Sequence, residues 1–441
     1  MEYRKYSLSF SKCFVCLFLL LNCVDTRAQL PKLLKDASET FKNGAEAIKS
    51  LGGLIDATKR TSAEFNKSVK VVKDNSFQSS VSESQQTKPK FKKGVFTNFK
   101  WEPVAYFENQ LFPSVIISMA TYKGEVDDPM MNSIKSSSLG FRFNSDKSFI
   151  PVRWEIESVD KQYFDKVSGD FMFQQARQEI YFMPSVPWNV STLAKQLSST
   201  PINVVFRIFD SDGNKEEKSV PLFMRSINDC LFSYKDKKLD FLFTSYIQEQ
   251  HPEVDKILKE ALNTKMITSV SGYQGDELNT LHQVAAVWKV LHDRGFQYSS
   301  TTETSTNSTI DFQSQQVRTF DNALKTQQAN CVDGTVVFAS ILRAMGISTL
   351  MVLTHDHCFL GFYTSNRKDR KRLYLETTML SSSDIIDKAK TPSEKKNAYF
   401  NQFLYALNYA TKKEYPEYKA ANDLIEVDVN YYRNFVRPLP F

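Results

Sequence analysis

The chain has 441 residues, of which 41% are hydrophobic and 24% charged, and a formal net charge of +6 at pH 7. That length suits two to three domains with ample core. So small a basic excess over so long a chain argues against nucleic acid as a partner.

Residues 1–28 read as a secretory signal. Arg4, Lys5 and Lys12 form a positive n-region, Cys13 to Val24 an apolar stretch, and Thr26-Arg27-Ala28 ends on a small residue. Cleavage near Ala28 is expected, which gives an extracytoplasmic protein, periplasmic or secreted. The apolar run is short for a membrane span. Lipid attachment at Cys23 ranks second, because Asn22 is a poor residue before a lipidated Cys, and an uncleaved anchor ranks third. Cleavage would remove four basic and two acidic groups and leave a net charge of +4. It would also remove Cys13, Cys16 and Cys23, leaving Cys230, Cys331 and Cys358. An odd count in an oxidising compartment leaves at least one thiol without an internal partner. A Cys230–Cys358 disulfide stays open.

Residues 29–74 are helical in pattern. Leu33-Leu34, Phe41, Ala45, Ile48, Leu51 and Leu54-Ile55 form a stripe broken by Gly52-Gly53. A stalk, a pro-segment and a partner-binding arm all fit. Residues 75–94, rich in Ser, Gln and Lys, read as a linker that holds the basic run Lys88, Lys90, Lys92 and Lys93.

Residues 95–227 predict a β-sandwich-like domain. Val152, Trp154 and Ile156 alternate with charged residues, and Ile202, Val204, Phe206 and Ile208 repeat the pattern. Asp210-Ser211-Asp212-Gly213-Asn214 lacks the spacing and closing Glu of a calcium loop and reads as a hairpin turn. Trp101, Tyr106, Phe107 and Trp188 are core candidates.

Residues 228–441 carry the chemistry. Helices are expected near 252–263 and 276–294, with Phe312 to Ala329 as the approach to Cys331. Residues 330–346 predict a helix: Asn330 is a good N-cap, Asp333 suits the positive end of the dipole, and Gly346 stops it. Gly334 costs about 1 kcal/mol against Ala inside a helix and would allow a close backbone approach. Strands follow over 348–354, 357–363 and 372–376, then a helical region over 383–411.

This order sets Cys331, then His357, then Glu376. A thiol is a strong nucleophile only as thiolate, which a helix N-terminus and a neighbouring imidazole favour. A carboxylate behind the imidazole fixes its tautomer. His355 competes with His357 for the role, but the strand pattern favours His357. The oxyanion would need donors, for which the backbone N–H of Cys331 and the side chain of Gln315 are the candidates. His355 and His357 share a strand face while Cys358 points away, and no second cluster at zinc spacing exists, so no metal is expected. No phosphate-cradling loop or dinucleotide fingerprint occurs, and no organic cofactor is implied.

The runs Asn330-Cys331, Phe338-Ala339-Ser340-Ile341-Leu342 and Met345-Gly346-Ile347 resemble the Cys helix of transglutaminase-like proteins. His357-Cys358-Phe359-Leu360-Gly361-Phe362-Tyr363 resembles that family's His strand, and Leu375-Glu376-Thr377-Thr378 its acid strand. Ser271 to Gly275, Gln315 to Arg318 and Asp428 to Arg433 with Arg437-Pro438-Leu439-Pro440 are similar to segments of a bacterial exported subgroup. The similarity covers roughly residues 228–441. The chain departs at Ala329-Asn330, where Gly-Thr is common, at Cys358, where a small residue is usual, and at Glu376, where the family has Asp.

The resemblance implies an α+β chain whose C-terminal domain has a papain-like fold with a Cys331–His357–Glu376 triad. It implies a cysteine-dependent amide hydrolase, peptidase or amidase, or an acyl transferase working through a thioester on a protein or peptide substrate. The alternative is a non-catalytic scaffold that keeps the fold and binds a cell-envelope partner. Substrate, acceptor and oligomeric state are not legible.

Overall fold

The computed structural model describes residues 92–93, 96, 99–120, 138–174, 176, 178–299, 304–305, 311–367, 370–381 and 390–441. The expected signal, the 29–74 helix and all of the 75–94 linker except Lys92–Lys93 lie outside the described residues. The described chain is α+β and belongs to one compact unit, Pro89–Phe441. Among the described residues no helix is long and apolar enough to cross a membrane.

The first part is built from β1 (Lys92–Lys93), β2 (Phe99–Ala105), β3 (Gln110–Leu111), helix α1 (Pro113–Met119), β4 (Leu139–Ser145), β5 (Ile150–Ser158), β6 (Val167–Phe173), β7 (Gln178–Phe182), β8 (Thr200–Phe209) and β9 (Asn214–Met224). One sheet runs β1-β9-β8-β5-β6, with β3 also on β9, and a second runs β2-β4-β7. Alternation puts Val152, Trp154 and Ile156 of β5, and Ile202, Val204, Phe206 and Ile208 of β8, in the core. Aromatic rings join the sheets: Phe141 of β4 lies edge-on to Phe206 of β8 at 5.6 Å, and Phe143 to Phe173 of β6 at 5.2 Å. Each such ring, fully buried, stabilises by about 1.5–3 kcal/mol from area alone. The β8–β9 turn is the expected hairpin, with Asp210 Oδ1 accepting the backbone N–H groups of Asp212 and Asn214.

Apolar side chains on both sides of residue 227 belong to one continuous core. All seven residues of α1 are buried. Its Ser114 hydroxyl donates to Asp229 O at 2.8 Å, and its Ser118 O accepts from Arg437 N at 3.0 Å.

The second part contains β10 (Asp229–Tyr234), β11 (Lys237–Lys238), α2 (Pro252–Asn263), α3 (Glu277–Asp293), β12 (Gln297–Tyr298), β13 (Thr304–Ser305), β14 (Phe312–Gln316), β15 (Gln328–Ala329), α4 (Cys331–Ala344), β16 (Thr349–Leu353), β17 (Cys358–Tyr363), β18 (Arg372–Leu375), α5 (Pro392–Tyr409) and β19 (Ile425–Asp428). The antiparallel sheet β18-β17-β16-β19 lies against α4. Every residue of α4 from Val332 to Leu342 is buried, so packing rather than propensity holds this helix. At its far end the Ser271–Gly275 loop presses in. Gly272 has φ +56°, and a Cβ there would stand 2.3 Å from Met345 O, so no other residue fits without rearrangement.

Of the helical region expected over 383–411, residues 390–411 are described and contain α5. After α5 the backbone opens into a π-helical turn, Ala410–Glu414, and resumes as a helix at Tyr415–Ala420. Pro416 has no N–H to continue the ladder, which favours irregularity in the turn before it.

Candidate active site

Cys331 occupies the first helical position of α4. Asn330 caps it: Asn330 Oδ1 accepts from Asp333 N at 2.8 Å, and Asp333 Oδ2 accepts from Asn330 N at 3.1 Å. Asp333 also accepts from Arg318 N at 2.8 Å and from the Arg318 guanidinium at 2.6 Å. Burial pushes the Asp333 carboxyl above its ordinary range against these partners. The helix start is therefore clamped to the strand-to-helix connection at Arg318, and Cys331 sits half-buried on the clamped turn.

His357 immediately precedes β17, and Glu376 immediately follows β18. The β17–β18 register pairs Leu360 with Leu375. Continued one step, it sets Glu376 opposite Phe359, a same-face diagonal from His357. The His357 Nε2–H donates to Glu376 Oε2 at 2.6 Å. That leaves Nδ1 for the sulfur. The other oxygen of Glu376, Oε1, accepts from Thr378 N at 2.8 Å and from the Thr378 hydroxyl. Burial lowers the His357 imidazolium, but hydrogen bonds to Cys331 and Glu376 and the charges of both outweigh it and lift it to about 11. Burial raises Glu376, and the imidazolium and Thr378 outweigh that and hold the carboxyl below its usual range. The structure thus brings Cys331, His357 and Glu376 into one contact chain, in which both partners favour the charged imidazole.

Gly334 explains how the helix comes this close. A Cβ at 334 would lie 2.8 Å from Thr377 Oγ1 and 3.3 Å from Thr377 Cβ, and Thr377 follows Glu376 directly. Gly334→Ala gains about 1 kcal/mol of helix propensity and costs about 1–3 kcal/mol by overpacking. A net loss of stability is expected in urea unfolding. The Cys331 alkylation rate should fall with it, because the displaced turn carries Glu376. A more stable variant with full reactivity would contradict this packing role.

Gln315 lies on β14, its backbone paired with Cys230 and Thr304, in a different sheet from β17 and β18. His355 is exposed and paired with Asp423 and Asp356, away from the thiol. Cys230, Cys331 and Cys358 are all free, so the Cys230–Cys358 disulfide left open by the sequence is not formed.

Two residues at the site went unpredicted. Tyr298 on β12 pairs with Ala329, two residues before Cys331. Burial, then the charges of Cys331 and Glu376, raise its hydroxyl above the usual range, so it stays a neutral O–H donor within the electrostatic reach of both. It also lines a small pocket with Leu291, Phe296, Val337, Phe338 and Leu380. Glu414, in the π-helical turn, places Oε1 3.4 Å from His357 Nε2. Its only sequence signal is the nearby Pro416, which flags a break without saying where a side chain goes. His357, Glu376 and Glu414 are the one described group of three potential metal-binding side chains whose ligand atoms all lie within 4.8 Å of one another. No protein-family model, no curated protein and no solved structure matches the chain.

Proposed function

We propose that this chain is an exported cysteine-dependent amide hydrolase with a transglutaminase-like, papain-like domain over 228–441 behind a β-sandwich-like domain over 95–227. The observation that carries the reading is the contact chain from the Cys331 sulfur through the His357 imidazolium to Glu376, with the 2.6 Å hydrogen bond at its far end. The helix terminus and imidazolium favour the thiolate.

In the proposed reaction the Cys331 thiolate attacks the carbonyl carbon of a peptide or side-chain amide and forms a C–S bond. The N–H of Cys331, with Tyr298 or Gln315 as the side-chain donor, steadies the oxyanion. The C–N bond breaks as the imidazolium gives its proton to the departing amine, leaving a thioester. Neutral His357 then takes a proton from water, the hydroxide oxygen bonds to the thioester carbon, and the acid leaves with thiolate and imidazolium restored. An amine in place of water makes the same site an acyl transferase. Cys331 is only partly buried, which gives water access and favours hydrolysis. The chemistry needs no metal or organic cofactor. Export rests on the first 28 residues alone.

The test incubates purified protein with peptide mixtures and reads cleavage, deamidation and cross-linking by mass spectrometry. New products from wild type and none from Cys331→Ala support the reading. Identical profiles with and without Cys331 would overturn it and leave the non-catalytic scaffold.

A further inference from the structure

We propose that Glu414 is a positioning residue that, as a neutral carboxylic acid, donates a hydrogen bond to Glu376 and so fixes the carboxylate that orients His357. This deepens the hydrolase reading and rests on it.

Glu414 Oε1 lies 3.4 Å from His357 Nε2, with only 11% of its side chain exposed. Glu414 Oε2 is buried and, as a carboxylate oxygen, has no hydrogen-bond partner. An orphaned buried oxygen is costly, and an ionised one more so. A proton on Glu414 removes the conflict, because the carboxyl O–H then donates to the neighbouring Glu376. Glu376 is already the acceptor for His357 and Thr378, so the extra donor completes a carboxylate held from three sides.

Two carboxyl groups in contact do not both ionise cheaply. Burial, then the charge of Glu376 and its hydrogen bond, push Glu414 up to about 8, with Glu417 adding to the rise and His357 opposing it. Tyr418, on the following turn, feels the charges of Asp356 and Glu414. Cys331, a partner of the same imidazole, adds negative charge when ionised. Lys412 and Lys413, on the same turn as Glu414, are exposed.

The backbone supplies the placement. The π-helical turn Ala410–Glu414 holds one residue more than an α-turn, which rotates the later residues by roughly 100°. An uninterrupted α-helix would aim residue 414 elsewhere.

Below about pH 8 Glu414 keeps its proton and its hydrogen bond. Above it, a second carboxylate faces Glu376, the orienting contact is lost, and the added charge disfavours the thiolate.

The test is the pH profile of Cys331 alkylation by iodoacetamide in the full chain, with EDTA present, for wild type, Glu414→Ala and Glu414→Gln. Wild type should show a fast plateau at neutral pH and a several-fold step down near pH 8. Glu414→Ala should lower the plateau about tenfold, the scale of one lost charge-assisted hydrogen bond. Glu414→Gln, whose amide N–H donates at every pH, should recover most of the plateau and lose the step. A merely structural role would leave the step in place, and Glu414→Gln alone decides if Glu414→Ala does not fold. A fast wild type whose step persists unchanged in Glu414→Gln overturns this inference and spares the hydrolase reading. A wild type no faster than free cysteine at neutral pH overturns that reading and this inference with it.

Discussion

His357→Ala is expected to lower turnover at least about a thousandfold, the scale seen when one member of a cooperating catalytic set is removed. In the proposed reaction the imidazole does three things in turn. Its positive charge favours a thiolate at the sulfur, its proton goes to the leaving amine, and its neutral form activates water. No other group in the described structure can replace it: His355 is exposed and committed to Asp423 and Asp356. The fold should tolerate the change, since the side chain sits at a strand end and is not fully buried. The measurement is the initial rate on whichever peptide the mass-spectrometric screen identifies, with the unfolding midpoint as control. Glu376→Gln should also be severe. An amide can present its N–H to Nε2 and stabilise the wrong tautomer, and an equivalent change in a serine triad costs about ten-thousandfold. A folded His357→Ala protein with near wild-type turnover would remove His357 from the mechanism.

Asp333→Ala is expected to cost about 3–5 kcal/mol of stability, the range for breaking a buried ion pair at one end. Asp333 is wholly buried and accepts from three donors: Arg318 N, Asn330 N and the Arg318 guanidinium. Alanine leaves all three unanswered, with the guanidinium charge only 13% exposed. Asn330→Ala removes one cap interaction and should cost about 1 kcal/mol. The comparison decides whether Asp333 serves as a helix-start preference or as the clamp between Arg318 and α4. Urea denaturation of both variants gives the answer: a several-fold larger loss for Asp333→Ala supports the clamp, and equal losses refute it. Cys331 reactivity should fall in the Asp333 variant even where it remains folded, because the nucleophile rides on the turn that the clamp holds.

Much of this was legible in the chain because local signals and burial agree. Asn330 and Asp333 form the cap that their spacing suggests, and Gly346 ends the helix at positive φ. Alternation in β5 and β8 marked the strands and their buried face. The meeting of Cys331, His357 and Glu376 was foreseeable because each sits at the end of a regular element, where register carries a side chain to a foreseeable place. Glu414 could not, because a π-helical turn breaks the 3.6-residue period that a sequence reading assumes. Tyr298 belongs to a two-residue strand paired in parallel with Ala329, too short to leave a pattern. The shared core across residue 227 was also hidden: α1 reads as a short apolar run, and only tertiary contact shows that it packs on β10.

The central claim of the proposed function is that the His357 imidazole activates the Cys331 sulfur to attack a carbonyl. The most direct measurement is the rate of Cys331 alkylation by iodoacetamide at about pH 6, well below the free-thiol range near 8.5, in wild type and His357→Ala. The account predicts capture far faster than free cysteine in wild type and at the free-cysteine rate in the variant. Equal, slow labelling of both proteins would contradict it.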